Sequence, residues 1–170
     1  MNDKSQNSYI LIGPPGSGKS TIGKALSKKL AMKFADTDAL IEDEIGAPIS
    51  QIFIDKGEPW FREVEARIVS SEIENLEGVL SLGGGAPLSD PAQKAIRESD
   101  AKIIYLDISL SAAAPRVGFN RDRPLLLHNP RGQWQTLMEA RRPIYESIAD
   151  CVIDVNEKSE SDIVNLVMEV

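Results

Sequence analysis

The chain has 170 residues with a formal net charge of −7, 42% of them hydrophobic and 26% charged, a balance suited to one folded domain over residues 1–170 with a sizeable core. The acidic surplus argues against broad electrostatic binding to nucleic acid or to an anionic membrane surface, and no apolar run approaches the roughly 20 residues that span a bilayer. The first eight residues are polar and lack the apolar core of a secretory signal, and one cysteine, Cys151, cannot form an internal disulfide, so the cytoplasm is the expected compartment.

Tyr9-Ile10-Leu11-Ile12 is a continuous apolar run, the pattern of a buried parallel strand. A glycine-rich segment follows, and then a helix over residues 19–30 with Ile22, Leu26 and Leu30 at helical spacing. A second strand ends at Phe34-Ala35-Asp36, and helices are expected over residues 39–45, 49–55 and 59–76, the last with a proline in its first turn. Residues 79–82 form a third strand, residues 91–98 a helix capped by Asp90, and residues 102–106 a fourth strand. Helices over 133–149 and 161–168 flank a fifth strand at 151–155. Alternation of this kind calls for an α/β fold, a parallel sheet covered by helices on both faces. Residues 118–132 break the periodicity with two prolines, two glycines and three arginines, and a loop of that length and charge reads as a lid.

The segment Gly13-Pro14-Pro15-Gly16-Ser17-Gly18-Lys19-Ser20 matches Gly-x-x-x-x-Gly-Lys-Ser, and it stands where a phosphate-binding loop must, between a buried strand and an amphipathic helix. Gly13, Gly16 and Gly18 permit positive φ, so that successive N–H groups converge on phosphate oxygens at a helix N-terminus. Lys19 is placed for the β- and γ-phosphates and the Ser20 hydroxyl for Mg²⁺. Nucleotide contacts are expected on Gly16, Ser17, Gly18, Lys19, Ser20 and Thr21. No Asn-Lys-x-Asp segment for guanine recognition is present.

Three further motifs lie where ligands bind in such folds, beyond strand ends. Asp36-Thr37-Asp38 offers two carboxylates, one for the waters of a magnesium ion and one to accept a hydroxyl proton, although Asp38 by itself also suits a helix cap. Gly83-Gly84-Gly85 follows the third strand, and a ligand lying against bare backbone, with N–H groups donating to its hydroxyls, accounts for three glycines in a row. Phe61-Arg62-x-x-Glu65 puts a cation and a carboxylate on one helical face. Arg116, Arg121, Arg123, Arg131, Arg141 and Arg142 gather in one stretch of an acidic chain, which suits a small anionic ligand. Cys151 reads as a small buried hydrophobe, and His128 has no partner at metal-ligand spacing.

These motifs, with Arg123-Pro124-Leu125-Leu126 and Arg141-Arg142-Pro143-x-Tyr145, occur in one order and spacing. The set resembles the shikimate kinases from about residue 9 to residue 155. The resemblance implies a P-loop fold of the nucleoside-monophosphate-kinase type, a five-stranded parallel sheet in a three-layer α/β/α sandwich with a lid and a substrate-binding helical region at about 38–76. It implies transfer of the γ-phosphate of ATP to the 3-hydroxyl of shikimate with Mg²⁺. Asp38 would hold the acceptor hydroxyl and serve as base, and Asp36 would sit in the outer shell of the magnesium. Arg62, oriented by Glu65, and Arg141 would clamp the shikimate carboxylate, with Gly83, Gly84 and Gly85 lining the ring hydroxyls. Arg123 would neutralise the transferring group, and Arg116 would pack on adenine. Two features depart from the family pattern: Pro115 is expected to kink or shorten the helix that carries Arg116, and Asn156-Glu157 stands where some members have a basic residue. A gluconate or nucleoside monophosphate kinase, or a module that binds nucleotide without transfer, are the competing readings.

Overall fold

The computed structural model describes residues 8–117 and 129–170. Four consecutive apolar residues need cover on both faces, and strand β1 (Tyr9–Ile12) is buried at every position in the middle of a parallel sheet. The sheet runs β2-β3-β1-β4-β5, with β2 at Lys33–Asp36, β3 at Gly78–Ser81, β4 at Lys102–Asp107 and β5 at Cys151–Asp154. Ile10 lies opposite Leu80 on one side and Ile103 on the other. Ile10, Leu11 and Ile12 are fully buried, each contributing about 2 kcal/mol of transfer free energy.

Handedness then sets the layers. The chain moves outward from β1 to β2, and back across the sheet through β3 and β4 to β5. Right-handed crossovers therefore put helix α1 (Lys19–Leu30) on one face and the later connections on the other. Accordingly α1 packs with the C-terminal helix α8 (Glu160–Met168). Helices α4 (Glu58–Glu74), α5 (Asp90–Glu98) and α7 (Pro130–Ile148) pack in succession. Two short helices, α2 (Thr37–Ile45) and α3 (Ile49–Lys56), join α4 around a separate small core of Ile41, Ile52, Phe61 and Ile68. The chain leaves the neighbouring strands β1 and β3 toward opposite faces, which opens a crevice at their carboxyl ends.

Several expectations change in detail. Helix α5 is capped by Ser89, whose side chain accepts from the Ala92 N–H, and Asp90 is its first residue. Pro115 lies inside helix α6 (Leu110–Val117), which runs on past Arg116, so the proline removes one ladder donor without ending the helix. Cys151 is half-buried, because β5 is an edge strand with one side uncovered. Residues 118–128 of the expected lid, with Arg121, Arg123 and His128, lie outside the described residues.

Candidate active site

The loop after β1 adopts the backbone its glycines suggested: Gly13, Gly16 and Gly18 have φ of 148°, 85° and 90°. A Cβ on Gly13 would also stand 2.6 Å from the Leu106 carbonyl oxygen of β4. Four successive loop carbonyls accept side-chain hydrogen bonds. Lys19 Nζ donates to Gly13 O at 2.8 Å and Pro14 O at 3.1 Å, Trp134 Nε1 to Pro15 O at 3.0 Å, and Arg116 Nη1 to Gly16 O at 3.1 Å. The peptides after Gly13 and Pro14 carry no N–H, because a proline comes next, and the Ser17 N–H turns back to Pro14 O at 3.2 Å. With the Pro15 carbonyl engaged on the protein side, the Gly16 N–H points the other way, where an anion can meet it. Arg116 thus sits against the phosphate-binding loop.

Ser20 and Asp36 meet directly, the Ser20 hydroxyl donating to Asp36 Oδ2. Asp36 Oδ1 accepts from the backbone N–H of Asp38 at 2.9 Å and of Ala39 at 3.2 Å, so Asp36, not Asp38, caps α2. The Asp38 side chain turns instead toward the glycine turn after β3. Thr37, between them, is fully buried, and its hydroxyl accepts the Gly83 N–H at 3.0 Å. Sequence reasoning gave Thr37 no part, and reserved the Gly83 N–H for ligand hydroxyls; it is engaged within the protein.

The glycine triplet has a steric origin. None of the three has positive φ. A Cβ on Gly83 would stand 2.5 Å from Asp38 Oδ1 and 3.2 Å from Glu65 Oε2, and one on Gly84 would stand 3.1 Å from Arg141 Nη1 and 3.3 Å from Pro15 Cδ. A Cβ on Gly85 would run into the Arg62 guanidinium, 2.7 Å from its Cζ. Bare backbone here makes room for the protein's own charged groups: each glycine admits one of Asp38, Arg141 and Arg62. Gly84, which is half-buried, is also where the glycine turn meets the loop after β1, at Pro15 and Gly13.

Arg62 donates to Glu65 at 2.8 Å, contacts Glu58 at 3.4 Å, and lies 5.3 Å from the centre of the Phe61 ring. Burial pushes the Glu65 carboxyl above its usual range, and the nearby charges of Arg62 and Arg141 pull against that shift. Of the paired arginines, Arg141 is the buried one, 4% exposed, and its Nε has no hydrogen-bond partner among the described residues. Arg142 instead pairs with Asp107 at 3.0 Å, and Asp107 also accepts from the Tyr105 hydroxyl at 2.9 Å. Tyr145 is bonded to Arg141 and donates to the Gly84 carbonyl at 2.5 Å; burial pushes its hydroxyl up to about 12. Glycine spacing and motif order had located Arg62, Arg141 and Asp38. Thr37 and Tyr145 stand inside quoted motifs that assign them no role, and Trp134 lies in none; its helical spacing to Met138, Arg141 and Tyr145 marks burial alone.

As for a metal, no cluster of three or more His, Cys, Asp or Glu side chains that could hold one occurs among the described residues. The Ser20 hydroxyl and the Asp36 carboxylate are hard oxygen donors in mutual contact beside the loop, which fits a magnesium ion held mainly by phosphate oxygens and water.

A phosphate-binding loop at the crevice of a five-stranded parallel sheet, facing a carboxylate and two arginines, defines a P-loop α/β protein of the nucleoside-monophosphate-kinase type. The family model for shikimate kinase matches residues 15–170, and the chain belongs to that family. It is 43% identical over 144 residues to a shikimate kinase of Salinispora arenicola, covering 85% of each chain. It is 42% identical over 156 residues to one of Rhodococcus jostii, covering 91% of this chain and 92% of that one. Among solved structures, shikimate kinase from Acinetobacter baumannii in complex with shikimate superposes with a TM-score of 0.93 at 30% identity, covering 97% of this chain and 92% of that one.

Proposed function

We propose that the protein transfers the γ-phosphoryl group of ATP to the 3-hydroxyl of shikimate, giving shikimate 3-phosphate and ADP. The observation that carries this reading is the glycine turn: Asp38, Arg141 and Arg62 each lie against one of its residues, beside the phosphate-binding loop. Two guanidinium groups and one carboxylate converging on one turn suit a ligand that presents a carboxylate to the first two and a hydroxyl to the third. Arg141 has a buried Nε donor with no partner among the described residues. Arg62 is held by Glu65, so its fork has a fixed orientation before the ligand arrives.

In the transfer, the acceptor oxygen forms a bond to the γ-phosphorus, the bond to the β-phosphate oxygen breaks, and the hydroxyl proton passes to the Asp38 carboxylate. Lys19 exchanges its contacts with Gly13 O and Pro14 O for the β- and γ-phosphates. A magnesium ion would be held by the Ser20 hydroxyl and, through water, by Asp36, and would supply charge neutralisation on the phosphates. By the family resemblance Arg123, outside the described residues, adds positive charge at the transferring group, and Arg116 packs on adenine. We assign the activity to a cytoplasmic monomer with one domain spanning residues 1–170.

The test is ADP release from MgATP with shikimate, gluconate or a nucleoside monophosphate as acceptor. Turnover with shikimate is expected, and turnover with gluconate in its place would overturn the assignment. Asp38→Asn should lower kcat by about 10²–10⁴-fold, while the ADP dissociation constant stays within about twofold, because Asp38 belongs to the acceptor side. Comparable turnover in that variant would remove Asp38 from the proton transfer.

A further inference from the structure

Of the donors on the four loop carbonyls, Trp134 differs from the others. Lys19 and Arg116 are cations on the half-buried or exposed side of the loop, whereas Trp134 is neutral, 3% exposed, and fixed in the face of α7 that also buries Met138, Arg141 and Tyr145. Its indole N–H can only donate, and a buried indole needs an acceptor. The acceptor here is Pro15 O, at 3.0 Å. In a trans peptide the carbonyl and the following N–H point in opposite directions, and the structure has no cis peptide bonds among the described residues. Fixing Pro15 O therefore fixes the direction of the Gly16 N–H. Gly16, with φ of 85°, is a position where that direction is not otherwise confined to the usual basins.

We propose that Trp134 is a positioning residue for the phosphate donor: by holding the Pro15 carbonyl it aims the Gly16 N–H at the phosphate chain of the nucleotide. The same helix carries Arg141 two turns later and Tyr145 one turn beyond that, on Gly84 O. Pro15 and Gly84 are themselves in contact, a Cβ on Gly84 standing 3.3 Å from Pro15 Cδ. One rigid element thus sets the loop for the donor and the turn for the acceptor. The proposal rests on the assignment of nucleotide to the phosphate-binding loop, and not on the identity of the acceptor.

Trp134→Phe keeps the ring packing and removes the N–H. Calorimetry should show the ADP dissociation constant raised about fivefold, the change set by one neutral hydrogen bond of ordinary net strength, with the shikimate constant within about twofold of the parent. An unchanged ADP constant, or equal weakening of ADP and shikimate, would assign Trp134 to packing alone and overturn the proposal. A second measurement avoids any change at the loop. The chain has two tryptophans, so in Trp60→Phe the emission comes from Trp134, and titration with ADP should change its intensity or wavelength with the saturation of binding. An emission that ignores ADP sinks the proposal. Both ADP arms stand whether or not shikimate is the acceptor, so the two readings fail separately.

Discussion

A methyl group at residue 85 would fall on the Arg62 guanidinium, the far end of a flexible side chain. The conflict is resolved by moving Arg62, and the fold is spared. Gly85→Ala should therefore raise KM for shikimate by about 10- to 100-fold, the value of a charge-assisted hydrogen bond to an anion, and leave the ADP dissociation constant unaltered. Gly46→Ala is the useful contrast. Gly46 has φ of 76° and nothing within 4 Å of its virtual Cβ, so the same chemical change costs about 1 kcal/mol of backbone strain without touching the site. Steady-state kinetics on the two variants separate these effects. A Gly85→Ala enzyme with the parent KM would mean that the place of Arg62 is immaterial to substrate binding.

At the level of elements, α7 is held at both ends of its buried face, and Tyr145 gives a pH-dependent measure of that anchoring. Its hydroxyl has a folded-state pKa of about 12, against 10 in the unfolded chain, because burial disfavours the phenolate. The folded protein binds this proton more tightly, so the contribution is fully present below pH 10 and is lost as the pH rises through about 12. Denaturant unfolding should show the parent losing on the order of 2 kcal/mol more than Tyr145→Phe between pH 10 and 12. At pH 7 the variant should be less stable by about 1 kcal/mol through loss of the bond to Gly84 O. Equal pH profiles for the two proteins would show that this phenol titrates as in the unfolded chain. The periodicity of α7 was legible in the sequence, as were the buried strands and the loop after β1, because core faces and glycine-bearing turns leave regular marks. The carbonyls that Trp134 and Tyr145 meet were not, since they belong to turns more than 60 residues away in sequence. The glycine triplet is legible as bare backbone, but a sequence displays missing side chains without displaying which neighbours of the protein's own, here Asp38, Arg141 and Arg62, occupy the space. Which of Asp36 and Asp38 caps α2 was likewise not legible: two carboxylates two residues apart look alike in sequence, and the backbone N–H groups of Asp38 and Ala39 settle on Asp36.

The molecule as a whole contains two cores of unequal size. One runs through the sheet from Tyr9 to Val167, with fully buried residues from β1, β3 and β4 and the helices on both faces. The other has four buried residues, Ile41, Ile52, Phe61 and Ile68, and includes a tilted Phe53–Phe61 contact at 4.7 Å. Two of these four, Phe61 and Ile68, come from α4, so much of the apolar cover on α2 and α3 is supplied by that helix. These helices therefore depend on α4, which docks on α5. The outer face of α3 adds little, since Ile54 is 77% exposed. Native-state hydrogen exchange should find α2 and α3 opening at free energies below the global value, and β1 and β4 exchanging only through global unfolding. A ligand bridging Asp38, at the start of α2, to Arg62, in α4, would tie the small core to the glycine turn. Shikimate should then slow exchange in α2, α3 and the first turns of α4 more than in α1 and α8. Uniform protection across both cores would instead mean one cooperative unit, in which substrate closes nothing that was not already closed.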